Sequence, residues 1–131
     1  MTFQRGDIVE LAQPWPAQHR GIFAGFDAYG RALVIHNPKG GSVRYDLLEV
    51  FACGQQVRLI NRVAQNSDQQ NLILARAHSL LGKEYDFLRF NCDHLVTYAL
   101  AGVATSPRLQ AVAVLALVIG LGVALTATAR A

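Results

Sequence analysis

Residues 19–36 read HRGIFAGFDAYGRALVIH, and this stretch decides the fold. Two runs that carry β-branched and aromatic residues, 18–26 and 31–36, flank the turn-forming residues 27–30, DAYG. Strand-like runs on either side of a short polar turn are typical of a β-hairpin. The segment therefore predicts two antiparallel strands joined by a short loop, with a histidine near each open end.

The two histidines are predicted to lie side by side in this hairpin. If residues 27–30 form the loop, Phe26 faces Arg31. The same register pairs His36 with Gly21. Because alternate residues share a strand face, His19 is then a diagonal neighbour of His36, about 7–8 Å away at the backbone. Gly21 leaves space between the two rings. The opposite face collects an apolar set: Ile22, Ala24, Phe26, Leu33 and Ile35.

Strands precede helices along the chain, which predicts an α+β domain with helices packed on an antiparallel sheet. The expected elements beyond the hairpin are strands over 7–11, 42–45 and 55–60, a short helix over 46–53, a helix over 69–81 with Asp68 as N-cap, and a helix over 92–101 with Asn91 as N-cap. The helix over 69–81 would bury one face, formed by Ile73, Ala77, Leu80 and Leu81.

Cys92 falls in the first turn of the last of these helices. Asn91 can accept a hydrogen bond from the backbone N–H of His94, which leaves other early N–H groups for a negative sulfur. Helix N-termini lower a thiol pKa from its usual value of about 8.5. The alternative is a buried structural cysteine on an amphipathic helix. We expect His94 to cap the helix or to pack against it, and Cys53, which ends an apolar run, to be buried.

A cysteine at a helix start and a histidine pair on a strand face supply a nucleophile, a base and an orienting group. A metal site formed by His19, His36 and Cys92 is the alternative, although their spacing matches no structural zinc pattern. Two cysteines are too few for a disulfide framework, and the N-terminus has no apolar signal segment. We therefore expect a reduced, cytosolic domain.

The C-terminal segment 109–129 contains no charged residue, whereas the whole chain is 16% charged and carries a net charge of +3. As a helix it would be roughly 31 Å long, close to the thickness of a bilayer core. A buried helix is the alternative, but a chain of 131 residues could hardly enclose it. Ala116, Gly120 and Ala124 form a small-residue stripe suited to self-association. The remaining charges are scattered, which argues against nucleic-acid binding.

Five short stretches stand out as motifs: GDIVE at 6–10, HRGIFAG at 19–25, VIH at 34–36, LGKEY at 81–85 and NCDHL at 91–95. Together they resemble the lecithin:retinol acyltransferase-like family. NCDHL is similar to its NCEHF signature, and LGKEY to the LVGxExY lead-in of its small HRAS-like suppressor phospholipase A/acyltransferases. HRGIFAG resembles its HxxIYxG strand, VIH the strand of its second histidine, and GDIVE its opening GDLIE. The matches occur in order along nearly the whole chain.

The resemblance implies a circularly permuted papain-like, NlpC-type domain over residues 1–106 and a membrane anchor over 107–131. It assigns Cys92 as nucleophile, His19 as base and His36 as third polar residue, with Asn91 capping the helix that carries the thiol. Members move an acyl chain from a membrane phospholipid onto the cysteine and then to water, an amine or an alcohol. No cofactor or metal is implied.

The chain departs from the family pattern at three positions: Asp93 stands for Glu, Leu95 for Phe and Phe23 for Tyr. These departures bear on acyl-acceptor and lipid preference more than on the cysteine chemistry. Two other functions remain open: an NlpC-like cysteine peptidase or amidase, and a non-enzymatic protein that tethers a membrane through its apolar tail.

Overall fold

The structure is a computed structural model that describes residues 2–13, 18–86 and 90–101. The elements in chain order are β1 (Ile8–Leu11), β2 (Arg20–Phe26), β3 (Ala32–His36), β4 (Arg44–Leu47), α1 (Leu48–Ala52), β5 (Val57–Asn61), α2 (Ser67–His78) and α3 (Cys92–Ala101). The strands form one antiparallel sheet in the order β4-β3-β2-β1-β5. The predicted α+β class is confirmed.

Each face of the sheet carries an apolar cluster. On one face, Ile8, Ile22 and Ile35 pack against α2 and α3, which contribute Ile73, Leu74, Ala77, Leu95, Val96 and Ala99. On the other face, a smaller cluster comprises Val9, Leu11, Phe23, Val34 and Phe51 of α1. Because both faces are covered, the central strands β1, β2 and β3 have few polar residues, and those that remain gather at one end of the sheet.

The hairpin register at its open end is as predicted, because Gly21 pairs with His36. At the closed end Phe26 pairs with Ala32, not Arg31, and Ala24 is an extra residue in β2. The longer loop arises because the N–H of Asp27 donates to the carbonyl of Arg31 at 2.9 Å. One added loop residue and one bulge cancel, so the parity of the histidines is retained.

The bulge overturns part of the predicted apolar set. It turns the side chain of Phe26 to the face of Phe23, where the two ring centroids lie 5.8 Å apart and Phe26 is 64% exposed. The prediction that Phe26 joins Ile22 and Ile35 is therefore wrong. Gly25 permits the bulge, since its φ is +92° and an added Cβ would lie 2.9 Å from Cγ of Arg5.

Other sequence-based boundaries shift by a few residues. Helix α2 is capped by Asn66, whose side chain accepts from the N–H of Gln69 at 2.9 Å, and not by Asp68. It ends at His78, so Leu81 lies beyond it and is 40% exposed. Cys53 ends α1 with a φ of +48° and is exposed, so the expectation of a buried thiol is wrong.

The predicted anchor, 109–129, lies outside the described residues. Among the residues that are described, no helix combines the length and the hydrophobicity needed to cross a bilayer.

A carboxylate buried between three elements joins the sheet to α3. Glu10 on β1 is 2% exposed and accepts from Nε of Arg20 at 2.7 Å and from Nη2 of Arg58 at 2.6 Å. Arg20 also lies 3.5 Å from Oδ1 of Asp93, the second residue of α3. Burial by itself would raise the pKa of Glu10, but the hydrogen bonds and charges of Arg58 and Arg20 hold it below its usual range. This network docks the first turn of α3 against the end of β2.

We predict that Glu10→Gln lowers the free energy of unfolding at neutral pH by about 1–3 kcal/mol, because Arg20 and Arg58 lose the carboxylate that they share. The lowered pKa means that the contribution of Glu10 is complete above the unfolded value of about 4.3 and is lost as the pH falls through the folded value. Urea titrations between about pH 7 and pH 3 would measure both quantities.

Arg31→Met, which breaks an exposed ion pair with Asp27 on the hairpin, is the matched control and should have a much smaller effect. If the variant Glu10→Gln loses stability with acid as steeply as the wild type does, the assignment of this acid sensitivity to Glu10 is wrong.

Candidate active site

One cavity of about 580 Å³ brings together the three residues that the sequence singles out. His19 precedes β2, His36 ends β3 and Cys92 begins α3, and all three line this cavity. The other lining residues are Leu11, Gln13, Gln18, Pro38, Lys39, Arg44, Asp46, Val50, Phe51, Cys53 and Tyr85. The hairpin register thus brings the two histidines to the same end of the sheet as a helix N-terminus.

The two imidazoles are in direct contact. Nε2 of His19 lies 2.8 Å from Nδ1 of His36, and the rings meet edge to face at 66°. The ring of Phe51 packs against both, with centroid distances of 5.2 Å to each. It also fills the space above Gly21, where an added Cβ would approach Phe51 to 3.1 Å and Val34 to 2.5 Å. Phe51 therefore holds the pair from one side, a role that the sequence did not reveal.

Asp46 extends the pair into a line of polar groups. Its Oδ2 lies 2.7 Å from Nε2 of His36 and 2.7 Å from Nε of Arg44. Burial by itself would raise the pKa of Asp46, but hydrogen bonds from His36 and Arg44 lower it overall. Sequence reasoning missed Asp46 because the predicted strand ended at residue 45. The available signal was the alternation of Arg44 and Asp46, which places both on the histidine face of β4.

His36 itself is almost fully buried, with 5% of its side chain exposed. Burial lowers its pKa, and the hydrogen bond and negative charge of Asp46 oppose that shift without overcoming it. His36 is therefore neutral near pH 7. A neutral imidazole has one donor and one acceptor nitrogen, which suits a residue placed between a second imidazole and a carboxylate.

A reciprocal cap fixes the start of α3, where Cys92 lies. Oδ1 of Asn91 accepts from the N–H groups of Asp93 at 2.9 Å and His94 at 3.3 Å. In return, Nδ1 of His94 accepts from the N–H of Asn91 at 3.0 Å. Burial lowers the pKa of His94, which favours the neutral ring that this bond needs. The predicted capping role of His94 is confirmed, with an imidazole where a capping box has Glu or Gln.

Cys92 is 2% exposed, and its Sγ lies 3.8 Å from the carbonyl oxygen of Gln18, the residue before His19. Arg20 follows His19 and brings a positive charge near the thiol. Burial opposes that charge, but the hydrogen bond to Glu10 and the negative charges around Arg20, that of Cys92 among them, raise the pKa of the guanidinium. The positive end of the α3 dipole and the charge of Arg20 both oppose the cost that burial places on a negative sulfur.

A metal was the alternative use of these side chains. Within the residues that the structure describes, no three His, Cys, Asp or Glu side chains are grouped so that they could hold a metal ion. The arrangement instead provides a thiol, a histidine pair and a carboxylate around one cavity. These are the groups that acyl transfer through a covalent cysteine intermediate requires.

The sequence is similar to known acyltransferases over most of its length. It is 30% identical to lecithin retinol acyltransferase of Homo sapiens over 82% of this chain and 58% of that protein. The proteins of Bos taurus and Rattus norvegicus with the same name are 28% and 27% identical over 82% and 83% of this chain. The chain therefore spans less than three fifths of the length of these relatives, 58–59%. The family profile described as lecithin retinol acyltransferase matches residues 1–105, and the chain belongs to that family.

Proposed function

We propose that this chain is a thiol-dependent acyltransferase or phospholipase A that takes an acyl group from a membrane phospholipid onto Cys92. The observation that carries the proposal is the line from Asp46 through His36 to His19, with spacings of 2.7 and 2.8 Å, in a cavity that Cys92 also lines. Family membership supports the reaction class. The relatives are named for lecithin, a phospholipid, which favours the same class of acyl donor here.

In this proposal His19 accepts the proton of the Cys92 thiol. The thiolate attacks the ester carbonyl, and the positive end of the α3 dipole stabilises the resulting oxyanion. The C–O bond then breaks, His19 gives its proton to the departing lysophospholipid oxygen, and an acyl thioester remains on Cys92. Water, an amine or an alcohol next gives a proton to His19 and attacks the thioester, and the thiol is restored. His36 orients His19 in both half-reactions.

The cavity lining supports an amphiphilic substrate. Leu11, Val50 and Phe51 offer apolar surface to an acyl chain, and Lys39 and Arg44 offer positive charge to a phosphate. An NlpC-like peptidase or amidase would use the same thiol and histidines, but a peptide substrate does not require apolar surface together with positive charge. The circularly permuted papain-like arrangement, with residues 1–106 as the catalytic domain, belongs to the same proposal.

We predict that incubation with phosphatidylcholine vesicles adds one acyl group to Cys92. The reason is that a cysteine at a helix start, in a cavity that His19 and His36 also line, has the base and the electrostatic environment that make a thiol attack esters. Intact mass measurement followed by peptide mapping would locate the adduct. Cys53→Ser is the matched thiol control and should still acylate at Cys92. Absence of any adduct on phospholipid, combined with cleavage of peptide amides that Cys92→Ala abolishes, would favour the peptidase instead.

We predict unequal losses from substitution of the two histidines. His19→Ala removes the base and should lower turnover by about 10²–10⁴-fold. His36→Gln should retain more activity, because an amide can accept from His19 and donate to Asp46. Initial rates of fatty acid release would rank the variants, with His78→Gln, on the exposed surface of α2, as control. The opposite ranking would exchange the roles assigned to His19 and His36.

The apolar segment 109–129 is part of the proposal as a single-pass membrane anchor that leaves the catalytic domain on the cytosolic side. Phospholipid is presented at a surface, so a tethered enzyme meets it at a high effective concentration. We predict that truncation after Pro107 keeps activity on detergent-dispersed lipid and sharply lowers activity on intact vesicles. Membrane fractionation should require detergent to release the full chain. Release by carbonate alone would contradict a spanning anchor.

A further inference from the structure

We propose that Asp46, held in place by Arg44, is a positioning residue that determines which nitrogen of His19 carries a proton. This inference rests on the proposed function, because it explains how His19 becomes a competent base. It assigns a task to the carboxylate that lies 2.7 Å from His36. Two hydrogen bonds connect Asp46 to His36 and His36 to His19.

The hydrogen bond between Asp46 and His36 has a defined donor. A single oxygen, Oδ2 of Asp46, lies 2.7 Å from both Nε of Arg44 and Nε2 of His36. Arg44 can only donate, and the ionised carboxylate can only accept. Because hydrogen bonds from His36 and Arg44 outweigh burial and lower its pKa, Asp46 is ionised at neutral pH. Nε2 of His36 must therefore carry a proton.

The donor of the next hydrogen bond follows from the neutrality of His36. Burial lowers its pKa, so the ring has only one N–H near pH 7 and that N–H faces Asp46. Nδ1 of His36 then has a lone pair and can only accept. Its partner at 2.8 Å, Nε2 of His19, must donate. The proton of neutral His19 is thus on Nε2, and Nδ1 is the nitrogen that can take a proton from a thiol.

Two imidazoles alone do not define which ring donates the hydrogen bond. A hydrogen bond between His19 and His36 forms equally well with the donor on either ring. In the reverse direction Nδ1 of His36 donates, and the proton of His19 is displaced to Nδ1, where it blocks the reaction. In serine proteases a wrong histidine tautomer lowers kcat about 10⁴-fold. The carboxylate at the end of β4 removes the ambiguity.

Arg44 contributes to the orientation of Asp46 as well as to its charge. Residues 44 and 46 lie on the same face of the edge strand β4, and their side chains are 51% and 20% exposed. A partly exposed carboxylate on an edge strand could rotate away from His36 if nothing held it. The guanidinium holds the same oxygen that faces the histidine, so the effects of substituting Arg44 and Asp46 are expected to be coupled.

The test combines substitutions that separate charge from orientation. Asp46→Leu removes the acceptor, and Asp46→Asn keeps an acceptor without charge. Arg44 should turn the amide oxygen toward His36, so Asp46→Asn alone should keep about a tenth or more of the activity. Asp46→Asn combined with Arg44→Met allows the amide to flip, and we expect a loss of about 10²-fold or more, as for Asp46→Leu. Glu49→Gln, an exposed carboxylate on α1, is the control.

Two readouts other than lipid turnover make the result specific. Two-bond ¹H–¹⁵N NMR reports the tautomer of each imidazole in the full chain. The pH profile of Cys92 alkylation by chloroacetamide, located by peptide mapping, reports the state of the thiol and its base. The titratable and charged groups that line the same cavity, and that this profile includes, are His19, His36, Lys39, Arg44, Asp46, Cys53, Tyr85 and Cys92.

The expected result is an Nε2–H tautomer for both histidines in the wild type and in Asp46→Asn. His19 should shift toward Nδ1–H in Asp46→Leu and in the double variant, with slower alkylation at neutral pH. An Nδ1–H tautomer of His19 in the wild type, or unchanged tautomers and rates in the double variant, would overturn the inference. If these NMR shifts occur but no phospholipid acylates Cys92, the positioning role stands and the proposed substrate is wrong.

Discussion

Close contact between β2 and β3 at Gly21 is the constraint on which the site depends. An added Cβ there would lie 2.5 Å from Cγ1 of Val34, so a larger residue at this position forces Val34 to shift. Because Gly21 pairs with His36, the absence of a side chain leaves room for Phe51 to lie against both imidazoles. The 2.8 Å contact between the histidines follows from this packing.

The opposite face of the sheet brings the nucleophile to the same place. Side chains alternate along a strand, so His19 and Arg20 point to different faces. His19 contributes to the cavity, while Arg20 joins Glu10 and approaches Asp93 in the first turn of α3. Neighbouring residues therefore do two complementary things: one provides the imidazole and the next docks the helix that carries the thiol. Loss of the Glu10 network would therefore displace Cys92 as well as lower the stability of the fold.

The sequence predicted the parts of this arrangement that depend on local pattern. The hairpin, the start of α3, the pairing of Gly21 with His36 and the cap at Asn91 all follow from alternation, turn chemistry and helix-start preferences. Asp46 was missed because the predicted strand ended one residue too early, and Phe51 and Glu10 were missed because their roles arise from packing between different elements. The position of Cys53 was misjudged because hydrophobic neighbours do not reveal where a five-residue helix ends.

The bulge at Ala24 has a consequence for how relatives of this protein should be aligned. Below the bulge the odd-numbered residues of β2 share the histidine face, whereas beyond it the even-numbered Phe26 does. Consider a relative with a regular hairpin and a loop one residue shorter. Its alternation of inward and outward side chains would match that of this chain only as far as Phe23. The gap then belongs within the strand, opposite Ala24, and a second one belongs in the turn. A single gap at the hairpin tip would exchange inward and outward positions between the two proteins.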